Sequence, residues 1–142
     1  MNKENVADKF KAGIDCSQVV LGYCAEQLGI TREEAWRIAS AFGGGMGIGE
    51  TCGAVAGAMI AIGMRYGQVR ENDPEQKAVM KQKRQEFLEE FLERYPSCTC
   101  RGILKHDISD PEERKKIMEA GLLFDLCPEV VLDAMDILDG IL

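Results

Sequence analysis

The sequence predicts an all-α protein, a compact bundle of five to six helices with a glycine-rich loop and a cysteine-containing connector. No segment alternates apolar and polar residues for long enough to indicate a β-strand. Helix starts are clearly marked: Thr31 and Glu34 fit a capping box, and Asp73-Pro74 combines an N-cap with proline at the first helical position. The last segment, residues 130–141, repeats apolar residues at helical spacing and therefore predicts a helix that faces a core.

Six helical segments follow from these signals, separated by glycine, proline and N-cap residues. In chain order they cover about residues 5–28 (with a bend at Gly13), 31–42, 50–66, 73–95, 109–121 and 128–142. The glycine-rich loop spans residues 43–49, and the connector spans residues 96–108. Since no repeat, low-complexity tract or linker interrupts the chain, we expect one domain over residues 1–142.

Composition narrows the classes of function. The net charge of -7 opposes binding to phosphate backbones, so no nucleic-acid partner is expected. The most apolar run, residues 54–64, is shorter than the roughly twenty residues that a membrane span needs, and no signal peptide is visible. We therefore expect a cytoplasmic protein with no membrane association.

Six cysteines stand at positions 16, 24, 52, 98, 100 and 127. In a reducing compartment such thiols favour metal, cluster or redox chemistry over structural disulfides. Cys16 and Cys24 lie eight residues apart on one predicted helix, about 12 Å along its axis, so they are not expected to share one site. The residues alone leave three interpretations open: a four-thiolate site, a dithiol/disulfide pair, or buried thiols that fill space.

The stretch FGGGMGIGETCGAVAG, residues 42–57, holds seven glycines and Cys52. It has the spacing of a phosphate-binding Walker A loop, but Glu50 stands where that loop needs lysine, and a helix rather than a strand precedes it. Gly53 and Gly57 leave one helix face nearly bare, which predicts the close approach of another helix. The glycines before Cys52 allow main-chain conformations closed to other residues and place the thiol at a helix N-terminus, a position that favours a thiolate. Cys127, immediately before Pro128, is predicted at a second helix start.

Four of the cysteines, with the residues around them, resemble the C_GCAxxG_C_C family of redox proteins. The matching segments are DCSQVVL with Cys16, FGGGMGIGETCGAVAGAM with Cys52, CRGILKHDIS with Cys100 and CPEVVLDAMDIL with Cys127. The resemblance covers about residues 15–142. One departure is visible, because the family pattern reads Gly-Cys-Ala-x-x-Gly and this chain reads CGAVAG from Cys52.

The resemblance implies a function and a set of ligands. A related domain accompanies haem-binding segments in split-Soret cytochromes, where it is associated with an iron–sulfur centre. By that resemblance the expected ligands of an iron–sulfur cluster are Cys16, Cys52, Cys100 and Cys127. The expected cluster type is [2Fe–2S], and the expected function is electron transfer or redox sensing. Cys24 and Cys98 would be extra thiols. No C-x-x-C-H haem attachment site is present, so a cytochrome function does not carry over.

The glycine loop completes this expectation. Its glycines would let the main chain lie against the cluster and donate N–H bonds to its sulfurs, and the expected residues are Gly44, Gly45, Gly47 and Gly49. Two alternatives stay open: a structural zinc site in an interaction module, and a thiol–disulfide oxidoreductase. No catalytic acid or base is identified, and His106 is expected to be a solvated loop residue. The expected partner is a redox protein of unknown identity, and a homodimer stays open beside a monomer.

Overall fold

Eight α-helices and one short 3₁₀-helix form most of the chain in a computed structural model, which describes residues 1–142. The all-α prediction is confirmed, but the expected count of five to six helices is wrong. The α-helices, with their bounds, are α1 Lys3–Lys11, α2 Cys16–Cys24, α3 Arg32–Ala39, α4 Gly53–Tyr66, α5 Pro74–Arg94, α6 Cys100–Leu104, α7 Pro111–Glu119 and α8 Leu122–Asp139. The 3₁₀-helix, Glu26–Leu28, follows α2.

Two local events account for the extra helices. The predicted first helix ends at Lys11, because the chain turns at Gly13 (φ 88°) and restarts after Asp15, whose extended backbone begins α2. The predicted connector also contains α6, which Thr99 caps by accepting the N–H of Gly102 at 3.0 Å. In both places a single residue, Gly13 or Thr99, sets a helix boundary that the hydrophobic pattern of the sequence does not predict.

Side-chain caps begin the helices largely as the sequence predicts. The Thr31 hydroxyl accepts the N–H of Glu34 at 3.1 Å, and the Glu34 carboxylate accepts the N–H of Thr31, so the predicted capping box forms. The helix predicted over residues 109–121 begins at Pro111 as α7, and Asp110 caps it by accepting the N–H of Glu112 at 2.9 Å. Such contacts satisfy N–H groups that otherwise lack a partner at helix starts.

The main core is one cluster of 24 buried residues, to which α2, α4, α5 and α8 contribute. Helices α2 and α4 approach closely, as the bare face of α4 predicts: a Cβ added at Gly57 would lie 2.7 Å from the carbonyl oxygen of Ser17. Although α4 is strongly apolar, none of the helices combines the length and the hydropathy of a membrane span. The α2–α4 contact matters for the site because it brings the first turns of both helices together.

Candidate functional site

Four of the six cysteines line one cavity of about 410 Å³. They come from four different helices or helix starts: Cys16 begins α2, Cys52 is the N-cap of α4, Cys100 begins α6, and Cys127 lies within α8. Convergence of residues this far apart in the chain is what the predicted four-thiolate site requires. The other two cysteines do not line this cavity.

A short backbone pairing holds Cys52 beside Cys100. The N–H of Cys52 donates to the carbonyl of Cys98 at 2.7 Å, and the N–H of Cys100 donates to the carbonyl of Glu50 at 2.6 Å. Between these bonds Thr51 and Thr99 form an isolated antiparallel bridge. The bridge ties the connector to the segment before α4 at the position where both carry a cavity cysteine. A pairing of two residues has no alternating pattern, so it cannot be predicted from hydrophobic periodicity.

Gly53 allows Cys16 to sit against the first turn of α4. A Cβ added at Gly53 would overlap the Cys16 sulfur and would lie 3.1 Å from the carbonyl oxygen of Phe42. Burial raises the pKa of the Cys16 thiol, and the backbone N–H of Gly44 acts in the opposite direction. Any side chain at position 53 would therefore displace this sulfur.

The glycine-rich loop is a run of left-handed turns. Positive φ angles occur at Gly44 (62°), Gly45 (61°), Gly47 (74°) and Gly49 (73°), and also at Met46 (62°), where the conformation costs a non-glycine residue about 1 kcal/mol. Of the four expected cofactor-binding glycines, Gly44 and Gly47 line the cavity. Gly45 instead packs on the backbone of Glu50, and Gly49 packs near the carboxylate of Asp107.

Cys127 is not at a helix start, which corrects the sequence-based expectation. Helix α8 begins at Leu122, after Gly121 in a left-handed conformation (φ 69°), and Pro128 lies inside the helix. The prediction placed Pro128 in the first turn because proline costs least there. Proline has no N–H, so within α8 the carbonyl of Phe124 lacks its usual helical donor. Phe124 itself lines the cavity.

The cavity thiols are neutral near pH 7, because burial disfavours their charged form. Burial raises the pKa of Cys16 and of Cys52, and it raises the pKa of Cys100 to about 11 and that of Cys127 to about 12. The charge of Cys16 adds to the pKa rise of the other three thiols. At Cys52 the backbone N–H groups of Val55 and Ala54 favour the thiolate, as predicted for a helix N-terminus. Burial has the larger effect, so the net pKa is still raised.

Glu50 and Arg101 join the two cysteine-bearing segments from the outside. The Glu50 carboxylate accepts from the guanidinium of Arg101 at 2.5 Å, and both side chains are about half exposed. The contact joins the segment before α4 to the first turn of α6. Arg101 had no signal in the sequence, because its partner lies 51 residues away.

The remaining candidate residues do not line the cavity. Cys24 is fully buried in the main core, Cys98 packs against the same core, and His106 is not among the cavity-lining residues. All six cysteines are free thiols. No group of three or more His, Cys, Asp or Glu side chains has the spacing needed to hold one metal ion.

Comparison with known proteins identifies the family. The family model described as "Putative redox-active protein (C_GCAxxG_C_C)" matches residues 14–141, nearly the whole chain. Neither the curated proteins nor the solved structures gave a match. The match includes all four cavity cysteines and the glycine-rich loop. The chain therefore belongs to the C_GCAxxG_C_C family of redox-active proteins.

Proposed function

We propose that this redox-active protein binds an iron–sulfur cluster, [2Fe–2S], through Cys16, Cys52, Cys100 and Cys127. The proposal rests on one observation: four thiols from separate segments of the chain line the same cavity, and the other two cysteines do not line it. Four thiolates are the usual donor set of a [2Fe–2S] cluster. Membership of a redox-active family supports the redox part of this proposal.

The residues around the thiols fit such a group. Gly53 leaves room for the Cys16 sulfur against α4, and the backbone N–H of Gly44 is near enough to oppose the rise that burial causes in the pKa of that thiol. A main-chain donor beside a ligand sulfur stabilises negative charge there, which raises a reduction potential. Hydrophobic residues such as Ile103 and Leu104 complete the wall and limit access of water.

A [2Fe–2S] cluster requires less convergence of the four thiols than a single zinc ion does. Four sulfurs on a tetrahedral zinc lie about 3.8 Å apart, because each zinc–sulfur bond is about 2.3 Å. No three of the potential ligands have the spacing for one ion, so zinc binding would require the helix ends to move together. In a [2Fe–2S] cluster each iron takes only two of the four thiolates, which demands less convergence.

A bound cluster would supply one-electron transfer. The chain's own contribution is to hold four thiolates, and because the free thiols are protonated near pH 7, loading must release their protons. Affinity for iron should therefore rise with pH. We propose electron transfer or redox sensing in the cytoplasm with a separate redox protein as partner, as a monomer or a homodimer.

The test is iron and acid-labile sulfide analysis, with a visible spectrum, on the full chain produced and purified without oxygen. The proposal predicts about two irons and two sulfides per chain and visible absorption that bleaches on reduction. A colourless protein with one zinc would establish the zinc alternative. A metal-free protein that loses thiols in pairs on mild oxidation, and regains them with a reductant, would establish the thiol–disulfide alternative.

A further inference from the structure

The residues that line the thiol cavity differ in their exposure to solvent: those at its floor are buried and those at its mouth are exposed. Cys52 and Cys100 are 9% and 8% exposed, so they form part of the floor. Phe124 and Arg114 line the same cavity but are exposed, with Phe124 at 37%, so they stand at the mouth. The cavity thus continues from the thiols to a solvent-accessible opening formed by the starts of α7 and α8.

The mouth is apolar apart from one cation. Its hydrophobic residues come from α1, the turn between α1 and α2, the segment before α7, and α8, and they are Phe10, Ile14, Ile108, Leu123 and Phe124. Arg114 is the only basic residue that lines the cavity, and its side chain has no carboxylate within 4 Å. Asp15, the one acidic residue of the wall, is adjacent to Cys16 and does not pair with Arg114.

A second cation stands close to the same opening. The ammonium group of Lys11 lies 5.7 Å from the centre of the Phe124 ring. Lys11, like Arg114, has no carboxylate within 4 Å, so two positive charges without an ion-pair partner lie at this apolar mouth. An apolar wall with a few placed polar groups is typical of sites for small organic molecules.

We propose that the mouth binds a small organic anion, with a carboxylate on Arg114 and an apolar body against Phe124. The planar guanidinium can donate two parallel hydrogen bonds to a carboxylate, which fixes the orientation of the molecule. The bound molecule would lie between solvent and the thiols. Its role as an electron donor or acceptor rests on the proposed function, whereas its binding does not.

The experiment titrates the full chain with benzoate and follows amide resonances by NMR, with benzyl alcohol as the neutral analogue. Benzoate should bind more tightly than benzyl alcohol and should shift the amides of Gly43, Gly44 and Gly47, which line the cavity. Arg114→Gln should weaken benzoate binding about tenfold or more, because a charge-assisted hydrogen-bonded pair is lost, and should abolish the preference over benzyl alcohol. Lys11→Gln should have a smaller effect in the same direction.

Lys115→Gln is the matched control, since it removes the same charge from the next residue of α7 and Lys115 is not in the cavity wall. The proposal is overturned if benzoate and benzyl alcohol bind equally, if Lys115→Gln weakens binding as much as Arg114→Gln, or if the shifted amides lie outside the cavity. The readout needs no metal, so a negative result here is distinguishable from failure to find a cluster.

Discussion

The four cavity cysteines and the two other cysteines share one side chain but lie in different surroundings. Cys24 is fully buried in the core, where burial, followed by the charge of Asp139, raises its pKa to about 11. Cys100 has a similar pKa of about 11, but there the charge of another thiol, Cys16, follows burial as the cause. Burial thus raises the pKa in both groups of cysteines, but only among the cavity thiols does the charge of one thiol raise the pKa of another.

This difference separates a site from core packing. A buried thiol in an apolar core behaves as a small hydrophobe. When several buried thiols raise one another's pKa, each disfavours ionisation of the next, and a cation that binds them all relieves this cost. Proximity between thiols, rather than their burial or exposure, is therefore the feature that we expect to predict function in this fold.

The largest expected effect comes from replacing a cavity cysteine. Cys16→Ser, Cys52→Ser, Cys100→Ser and Cys127→Ser should each lower the iron content of anoxically prepared protein at least tenfold, because a ligand is lost. Iron per chain and visible absorption are the measurements. Cys98→Ser is the control, since Cys98 is not in the cavity wall, and it should retain iron. Equal iron loss in Cys98→Ser would erase the distinction between the two groups.

The next effect concerns the backbone of α4. Gly53→Ala should lower the iron content and reduce the free energy of unfolding by about 1–3 kcal/mol, because the added Cβ overlaps the Cys16 sulfur. Gly63→Ala is the matched control in the same helix, where an added Cβ meets nothing within 4 Å. It should leave iron unchanged and stabilise the protein by about 0.5–1 kcal/mol. If both variants behaved alike, Gly53 would have no special role.

Stability should also depend on pH through Cys24. Its folded pKa of about 11 lies above the unfolded value of about 8.5, so its contribution is complete below pH 8.5 and is lost as the pH rises towards 11. At pH 10 the loss from this thiol is about 2 kcal/mol. Urea unfolding of metal-free native protein and Cys24→Ala should show the native chain losing that much more than the variant between pH 7.5 and 10. If both proteins lost the same free energy of unfolding, Cys24 would ionise as readily in the folded protein as in the unfolded chain.

The smallest effect is expected at the Glu50–Arg101 ion pair. Since both side chains are about half exposed, a double-mutant cycle with Glu50→Gln and Arg101→Gln should give a coupling free energy below about 1 kcal/mol. The coupling should disappear in 1 M salt, where the screening length is about 3 Å. A coupling of several kcal/mol that resists salt would assign this pair a larger part in holding the cavity together.

Local chemistry explains which parts of the structure the sequence could predict. The capping box at Thr31 and the N-cap at Asp73 are complete within a few residues, and both form. The start of α8 was misplaced because Pro128 satisfies the rule for a first turn equally well. The short helix α6 has too few residues for a periodic pattern, so no prediction of it was available.

The candidate site likewise has features that the sequence predicts and features that it does not. Gly53 and Gly57 predict that another helix approaches α4 closely, but only the structure shows that this helix is α2 and that it brings Cys16 to the start of α4. The bridge that holds Cys100 beside Cys52, and the contact between Glu50 and Arg101, join segments about fifty residues apart. Such pairings leave no periodic trace in one sequence. The family resemblance supplied the four-cysteine set that spacing alone left open.

The most direct test of the central claim keeps only the four cavity cysteines. The double variant Cys24→Ala/Cys98→Ala, produced and purified without oxygen, should contain about two irons and two sulfides per chain and should keep the visible spectrum of the native protein. A double variant that folds but contains neither iron nor sulfide, while the native chain contains both, would contradict the assignment of the site to the four cysteines of the cavity.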